Sequence, residues 1–333
     1  MMSFLDRAAL LKPAAATKTP HLAYAALACV CFFWGTTYLG IRIALESLPP
    51  FYLIAIRYTV SGAILLAGSA ICGARLPRGR EWLETAVCGI ICIGVGNGFL
   101  ARAELTVPTG FAAIVYTTCP FWMTGLDALL PGGRMPRLAT VAGLGLGAAG
   151  VLLILAPDSM SRGIGPARLG GFLLLQVSVA GWTTGALLQK RVKTTVSPLV
   201  AGAVQQLVAG LAMFVPAAVW EKAPSSISNR AELAVAYLVV FGSFIGFTAF
   251  IYSMSHLAAP LVSIYTFVNP LVAVFLGCVF YGETFRGHDL AAMGVIFVGV
   301  FLVKRSESAT TSVPGQTFRY RTLSKFGTPW RHS

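Results

Sequence analysis

Long apolar runs separated by short polar segments dominate the sequence. Pro, Gly and charged residues bound ten such runs, at 22–42, 51–71, 83–102, 109–130 and 138–156 in the first half, and at 168–188, 198–220, 232–254, 260–280 and 289–303 in the second. A hydrocarbon core about 30 Å thick needs about 20 apolar residues per helix. The pattern therefore predicts ten transmembrane helices, since an open-ended chain in lipid satisfies its backbone only as a helix.

Composition supports an integral membrane protein of the all-α class. Hydrophobic residues make up 56% of the 333 residues and charged residues only 11%, whereas soluble domains are about 45–50% apolar and about 25% charged. No connection between runs is long enough to build a second hydrophobic core. We expect one membrane domain, in contact with the lipid bilayer.

The positive charge indicates topology. The net charge is +13, but Lys and Arg lie in short segments beside apolar runs and form no basic face, which argues against a nucleic-acid partner. With the N-terminus inside, seventeen basic residues fall on the inner side and seven on the outer side. This predicts cytoplasmic termini: an N-terminal tail at 1–21 and a basic C-terminal tail at 304–333 that is either disordered or held on anionic headgroups.

The two halves of the sequence repeat each other. Residues that recur at an offset of 148 or 150 are Trp34 and Trp182, Pro50 and Pro198, Gly62 and Gly210, Pro120 and Pro270, and Gly132 and Gly282. They predict one five-span repeat at 22–156 and another at 168–303, joined by a loop at 157–167. Because five is odd, the second copy is expected to be inverted relative to the first.

Several stretches of the repeats resemble a known family. They are Phe33-Trp34-Gly35-Thr36-Thr37, Pro49-Pro50, Arg57-Tyr58, Ala259-Pro260, Asn269-Pro270 and Gly282-Glu283. In order and spacing they are similar to the drug/metabolite transporter superfamily, in its ten-span EamA-like branch, over about residues 22–304. The resemblance implies a central cavity lined by the first, third, fourth, sixth, eighth and ninth spans, and substrates such as amino acids, nucleobases, sugars or drugs. The first repeat departs from the pattern, with Gly132-Gly133 where the second has Gly282-Glu283.

Polar and aromatic side chains inside the spans are the candidate binding residues. A polar group in lipid needs a partner, so it should face other helices or a watery cavity. We expect a small-molecule substrate to contact Trp34, Tyr38, Arg57, Asn97, Tyr116, Trp122, Trp182, Tyr265 and Asn269. The alternatives are ordinary aromatic packing for the two tryptophans and hydrogen bonds between helices for the polar side chains.

Arg57 is the one basic residue placed well inside a predicted span. An unpaired charge at the membrane centre costs at least about 2.5–3.5 kcal/mol. One interpretation is a bidentate contact with a substrate carboxylate or phosphate. The other is a structural arginine that reaches the outer interface or binds backbone carbonyls.

Two prolines and two carboxylates have possible roles in a transport cycle. Pro120 and Pro270 remove backbone hydrogen bonds within the fourth and ninth spans, either as hinges or as passive kinks. Glu104 and Asp127 lie near span ends. One interpretation is that one of them is partly buried and carries a coupling proton. The other is that each pairs at the interface with a neighbour such as Arg102 or Arg134.

Motifs that would indicate soluble enzyme chemistry are absent or have another explanation. Residues 145–150 spell GxGxxG inside an apolar run, so we expect Gly143 and Gly147 to form a seam for close helix packing. No Walker A sequence, metal-ligand spacing or Ser/His/Asp arrangement is found. We expect no catalytic residue, metal or cofactor.

Together these patterns predict a secondary carrier. We expect it to move a small metabolite such as an amino acid, as an exporter or exchanger, by alternating access in a bacterial inner membrane. The main alternative is a sensor or scaffold that kept a transporter fold without transporting. A membrane-embedded lipid enzyme is disfavoured, because the paired acids, histidine cluster or nucleophile it requires are not evident.

Overall fold

The computed structural model describes residues 20–129, 137–161, 166–192, 195–257, 259–284 and 287–311. All regular secondary structure in these ranges is helical. Of the tails predicted at 1–21 and 304–333, residues 1–19 and 312–333 lie outside the described residues, as do Gly132 and Gly133. Residues 304–311, predicted as the start of a disordered tail, continue the last helix instead.

The described helices follow the predicted spans closely. They are α1 (Pro20–Ala44), α2 (Pro50–Ile71), α3 (Arg80–Ala103), α4 (Thr109–Tyr116), α5 (Cys119–Leu129), α6 (Leu138–Ser161), α7 (Pro166–Arg191), α8 (Pro198–Trp220), α9 (Asn229–His256), α10 (Ala259–Val262), α11 (Tyr265–Tyr281) and α12 (Gly287–Thr311). Six of them, α1, α2, α3, α7, α8 and α9, are long and apolar enough to cross a membrane. Shorter apolar stretches lie in α6, α11 and α12. Residues 157–161, predicted as loop, belong to α6.

Two predicted spans are broken, which corrects the expectation of continuous helices at 109–130 and 260–280. At Thr117 and Thr118 both the backbone N–H and the hydroxyl group of each residue bond to a carbonyl three positions earlier. Such local side-chain bonds compete with the regular helical pattern. A similar tight turn at Ser263 and Ile264 separates α10 from α11.

The third and ninth helices each contain a wide-turn segment. Residues Ile90–Val95 of α3 and Leu238–Ile245 of α9 are π-helical. The two segments begin 148 residues apart and end 150 residues apart, which is the offset of the sequence repeat. π-Helical turns are rare and often occur at functional sites, so their recurrence directs attention to the side chains that pack on them.

Glycine allows α2 and α8 to cross at backbone contact. A Cβ atom at Gly62 would lie 2.2 Å from the Leu207 nitrogen, and one at Gly210 would lie 2.2 Å from the Thr59 nitrogen. Both pairs of positions, 62 with 210 and 59 with 207, are related by the offset of 148. The crossing is therefore a reciprocal contact between equivalent surfaces.

The expected glycine seam is present between α6 and α12. A Cβ atom at Gly143 would lie 2.8 Å from the Gly299 carbonyl oxygen, and one at Gly299 would lie 2.7 Å from that of Gly143. Gly147 packs against Phe121, and its backbone lies beside Gly299. The packing interpretation of the GxGxxG stretch is thus confirmed.

The helix bundle has a buried centre and an apolar exterior. Leu53 and Ile54 of α2 and Ile114 of α4 are almost fully buried. Large apolar side chains on other helix faces are more than half exposed, among them Leu152, Val219, Phe275 and Phe301. Extended apolar exposure of this kind marks a surface that contacts lipid or a partner.

Candidate functional site

Three helices bring an aromatic cluster together near the middle of the bundle. The ring of Trp34 on α1 lies 5.1 Å from that of Phe250 on α9 and 5.2 Å from that of Tyr265 on α11. The Phe250 and Tyr265 rings are 5.8 Å apart and nearly perpendicular. Edge-to-face contacts of this kind are favourable because the positive ring edge meets the negative face. Phe250 was not predicted, since in sequence it is one of many aromatic residues in an apolar run.

Two tyrosines extend the cluster toward α3 and α7. Tyr38 on α1 and Tyr116 on α4 have ring centroids 6.4 Å apart. The Tyr116 hydroxyl group lies 2.8 Å from the Ser178 hydroxyl oxygen and donates to the Gly96 carbonyl oxygen over 3.3 Å. Tyr116 is therefore anchored at the break between α4 and α5, with its ring facing α1.

Cys119, the first residue of α5, lies near both groups of rings. It lies within electrostatic range of the hydroxyl groups of Tyr38, Tyr116 and Tyr265. We call Trp34, Tyr38, Tyr116, Phe250 and Tyr265 the aromatic centre. No signal in the sequence marks the position of Cys119.

Trp34 packs against the π-helical segment of α9. Its indole N–H donates to the Gly242 carbonyl oxygen over 3.1 Å, and a Cβ atom at Gly246 would lie 2.7 Å from the indole nitrogen. The partly buried Trp182 packs on Gly96 in α3, where a Cβ atom would lie 3.4 Å away. Because Gly96 and Gly246 are 150 residues apart, the two tryptophans occupy matching positions in the two halves.

Arg57 is buried beside the same segment of α9. The residue is 3% exposed, its Nε donates to the Ser243 hydroxyl oxygen over 2.8 Å, and its guanidinium carbon lies 4.7 Å from the Tyr58 ring centroid. Its Nη1 atom is buried without a hydrogen-bond partner. Arg57 therefore does not extend to an interface, and its Nε is held by Ser243 while Nη1 stays available for a ligand.

Asn97 provides a second buried donor without a partner. It follows the π-helical segment of α3 and is 8% exposed. Its amide nitrogen has no hydrogen-bond partner. Buried donors are nearly always paired, so Arg57 and Asn97 are the described side chains best suited to a polar ligand.

The remaining predicted residues lie outside the aromatic centre or link helices. The Trp122 indole N–H donates to the Gln176 side-chain oxygen over 3.0 Å, and the Trp122 ring lines an apolar groove of about 420 Å³ with Phe121 and Leu126. With its amide nitrogen turned toward α1, Asn269 donates to the Cys31 carbonyl oxygen over 2.9 Å and to that of Tyr265 over 3.0 Å.

The two predicted hinge prolines have different settings. Pro120 is the second residue of α5, directly after the break at Thr117 and Thr118. Pro270 is buried inside α11, several residues beyond the break that precedes that helix. The helix breaks and the prolines are therefore separate features in the second half.

The two carboxylates considered for proton coupling also differ. Asp127 forms a half-exposed ion pair with Arg191 over 3.7 Å, a partner that was not predicted. Glu104 is fully buried, and neither of its carboxylate oxygens has a hydrogen-bond partner. Within the part of the chain that the structure describes, no group of His, Cys, Asp and Glu residues is arranged to hold a metal ion.

Apolar helices of membrane-spanning length, packed in matching halves around buried aromatic and polar side chains, define a multi-pass membrane protein of the transporter class. The chain belongs to the EamA-like transporter family, which it matches over residues 21–156 and again over residues 169–305. The family resemblance found in the sequence is thereby confirmed, together with the two repeats.

Relatives agree with this assignment. The chain is 33% identical to the inner membrane transporter YedA of Escherichia coli (strain K12), over 84% of this chain and 90% of the relative. It is 25% identical to a probable terminal-alkyne amino-acid exporter of Streptantibioticus cattleyicolor, over 85% of this chain and 94% of the relative. One solved structure shares the fold, with a TM-score of 0.61 and 23% identity over 87% of this chain and 99% of that one.

Proposed function

We propose that the protein is a secondary transporter that exports or exchanges a small metabolite such as an amino acid across the bacterial inner membrane. Ten spans form two inverted repeats, both termini face the cytoplasm, and the substrate binds between the repeats. Alternating access arises when one repeat rocks against the other. One predicted span is covered by α4 and α5 together, and another by α10 and α11 together. The described helices are therefore compatible with ten crossings.

The observation that carries this proposal is the buried, partly unpaired guanidinium group of Arg57. Its Nη1 atom has a hydrogen to donate and no acceptor, and the Gly242 backbone connects it to Trp34. A Cβ atom at Gly242 would lie 2.9 Å from Arg57 Nη2, and the Gly242 carbonyl oxygen accepts the Trp34 indole N–H. An anionic group that met Arg57 would therefore lie close to an aromatic wall.

The chemistry of these groups favours a zwitterionic or anionic substrate. A guanidinium group binds a carboxylate through charge-assisted hydrogen bonds, Asn97 offers an amide donor, and aromatic faces attract an ammonium group. An amino acid carries both charges. The exporter from Streptantibioticus cattleyicolor, whose name specifies an amino acid, supports the same substrate class.

Contacts that recur between the halves support the alternating-access part of the proposal. The α2–α8 crossing at Gly62 and Gly210 is reciprocal, and Trp34 and Trp182 pack on equivalent glycines of α9 and α3. Two halves built on the same contacts can exchange conformations, which is how inverted-repeat transporters expose one site to alternate sides.

The test is transport by purified protein in proteoliposomes. A labelled panel of amino acids, nucleosides, sugars and organic cations would be offered, and counterflow of each class measured. We expect one class, containing amino acids, to exchange, and Arg57→Gln and Trp34→Ala to abolish that exchange. Trp122→Ala is the matched control, because Trp122 lies in a different groove, and it should retain exchange.

Two outcomes would contradict the proposal. If folded, inserted wild-type protein exchanges nothing, the sensor or scaffold interpretation is favoured. If exchange occurs but Arg57→Gln retains it, the substrate site lies elsewhere.

A further inference from the structure

We propose that Glu104 is the proton-binding site of this transporter, and that it takes up and releases one proton in each cycle. The inference rests on the proposed transport function and adds the coupling ion and the residue that binds it. Glu104 is the first residue after α3, in the short turn that leads to α4. Its side chain is fully buried, and both carboxylate oxygens lack a hydrogen-bond partner.

The nearest cation does not neutralise this carboxyl group directly. The Arg42 Nη1 atom on α1 donates to the backbone carbonyl oxygen of Glu104, not to its side chain. The Arg42 guanidinium carbon also lies 5.7 Å from the Tyr281 ring centroid. Arg42 therefore holds the turn in place while the carboxyl group remains without a bonded cation.

The other charged or titratable groups that act on Glu104 come from each neighbouring element. They are Arg57 on α2, Tyr38 on α1 and Glu283 after α11. On the α7 side, Gly171 packs on Thr106 of the same turn, and the nearby Arg168 stacks on Phe111 instead, at 5.1 Å. The positive charges of Arg42 and Arg57 favour the ionised form of Glu104, and the negative charge of Glu283 disfavours it.

Burial favours the neutral, protonated form of Glu104. A carboxylate without hydrogen bonds is strongly disfavoured in a low-dielectric site. Desolvation raises the pKa of Glu104 well above its ordinary value, and the charge of Glu283 acts in the same direction, against the smaller effects of Arg42 and Arg57. Glu104 therefore holds a proton while the turn is buried and releases it when water reaches the turn.

The turn that carries Glu104 is joined to a contact between the two halves. Glu283 accepts hydrogen bonds from the Thr109 backbone N–H over 2.7 Å and from the Gly110 N–H over 3.2 Å. Thr109 begins α4, five residues after Glu104. An opening motion that separates α4 from the end of α11 breaks these bonds and moves the same turn, so opening and proton release are linked.

The proton step is a simple acid–base exchange. In the open state the Glu104 O–H bond breaks, the proton goes to water on that side and the carboxylate remains. In the return half of the cycle the central cavity opens to the other side, and the carboxylate takes a proton through that cavity before the turn is buried again. No oxidant, reductant or second ligand is required.

The test uses full-length protein in proteoliposomes with a labelled amino-acid mixture, with and without an imposed proton gradient. Glu104→Gln imitates the protonated acid permanently. In this variant we expect the accumulation of label driven by the proton gradient to fall at least tenfold. Counterflow exchange at equal pH on both sides should remain within about twofold of wild type. Asp127→Asn is the control, because Asp127 lies in an exposed ion pair, and it should retain both activities.

A spectroscopic measurement follows the proton directly. Infrared difference spectra recorded during a pH titration of the purified protein should contain a band from a protonated carboxyl group at neutral pH. This band should be missing in Glu104→Gln and retained in Asp127→Asn. If Glu104→Gln does not fold, Glu104→Asp takes its place, with retained coupling and a shifted titration midpoint expected.

Each contrary result identifies which proposal fails. If Glu104→Gln accumulates label under a proton gradient like wild type, Glu104 is not the proton site. If folded Glu104→Gln loses counterflow as well, the residue has a structural role and the inference is wrong. If wild type exchanges label without any response to the gradient, the inference fails and the transport function stands, whereas absence of all exchange refutes both.

Discussion

Glu283 accepts hydrogen bonds from both the backbone N–H and the hydroxyl group of Thr109, over 2.7 and 2.9 Å. With the bond from Gly110, this carboxylate after α11 satisfies three donors at the start of α4. The first N–H groups of a helix have no partner within the helix. Glu283 is thus a cap supplied by one repeat to a helix of the other, where Pro108 has no side-chain oxygen to offer.

The same contact explains why the repeats differ in sequence. At an offset of 150, Ala259 and Pro260 replace Thr109 and Gly110, while Gly133 is the counterpart of Glu283. Alanine has no hydroxyl group and proline has no N–H, so two of the three donors are missing. The acidic residue and two of its three donors are therefore missing together from the sequence.

Glu283→Ala should destabilise the protein. The variant leaves the first turn of α4 without its cap, and loss of a helix cap costs about 0.5–2 kcal/mol. Thermal unfolding of the detergent-solubilised protein, followed by tryptophan fluorescence, measures this change. Glu84→Ala is the control, because Glu84 pairs with the exposed Arg80 over 2.6 Å and surface ion pairs contribute little. Equal melting temperatures for both variants would contradict the capping role.

Gly62→Ala should destabilise the α2–α8 crossing. The new Cβ atom would lie 2.2 Å from a backbone nitrogen, so the helices must separate, and overpacking typically costs about 1–3 kcal/mol. Gly210→Ala should behave in the same way. In Gly68→Ala, on the same helix, no atom lies within 4 Å of the new Cβ, so this control should fold like wild type. The measurements are the yield of monodisperse protein and its melting temperature for each variant. A Gly62→Ala variant as stable as Gly68→Ala would exclude the tight crossing.

Helix positions and the glycine seam were predictable because both depend on local composition. Apolar runs of span length and small residues four apart carry their structure in the sequence itself, as for Gly143 and Gly147. The π-helical segments were not predictable, because they depend on the tertiary packing of α3 and α9. The breaks at Thr117 and at Ser263 were missed for a related reason: Thr and Ser are tolerated inside membrane helices, and only the structure shows the Thr117 and Thr118 hydroxyl groups bonded to the preceding turn.

The candidate site was predicted in part. Trp34, Tyr38, Tyr116 and Tyr265 do converge, since polar and aromatic side chains on apolar helices turn inward. Trp122 does not join them, because α5 starts a new helix after the break and its ring points into a different groove. Glu104 was expected either at an interface or partly buried, and its complete burial depends on how α1 and the end of α11 cover the turn after α3.

Trp34→Phe should slow transport without disturbing the fold. Phenylalanine keeps a ring beside Phe250 and Tyr265 but removes the N–H that donates to Gly242. The bond fixes the indole ring beside the proposed substrate site, so we expect its loss to weaken substrate binding. A net hydrogen bond contributes about 0.5–1.5 kcal/mol, which corresponds to about a 2- to 12-fold decrease in the initial rate of counterflow at low substrate concentration. Trp122→Phe, which also loses an indole hydrogen bond, should leave the rate unchanged. Similar decreases in both variants would indicate a general packing effect instead of a role for the aromatic centre.

Arg57→Lys should inactivate transport almost as fully as Arg57→Gln, although it preserves the charge. Arg57 binds the Ser243 hydroxyl oxygen through Nε while Nη1 remains without a partner. A lysine ammonium group is a single point that cannot hold Ser243 and present a second, fixed donor to a carboxylate. Counterflow rates over a range of substrate concentrations test this, with Ser243→Ala as the partner variant. We expect Ser243→Ala to retain transport at a reduced rate, because the guanidinium group is still present but less firmly held. If Arg57→Lys transports like wild type, positive charge alone is sufficient and the geometry of the guanidinium group is not part of substrate binding.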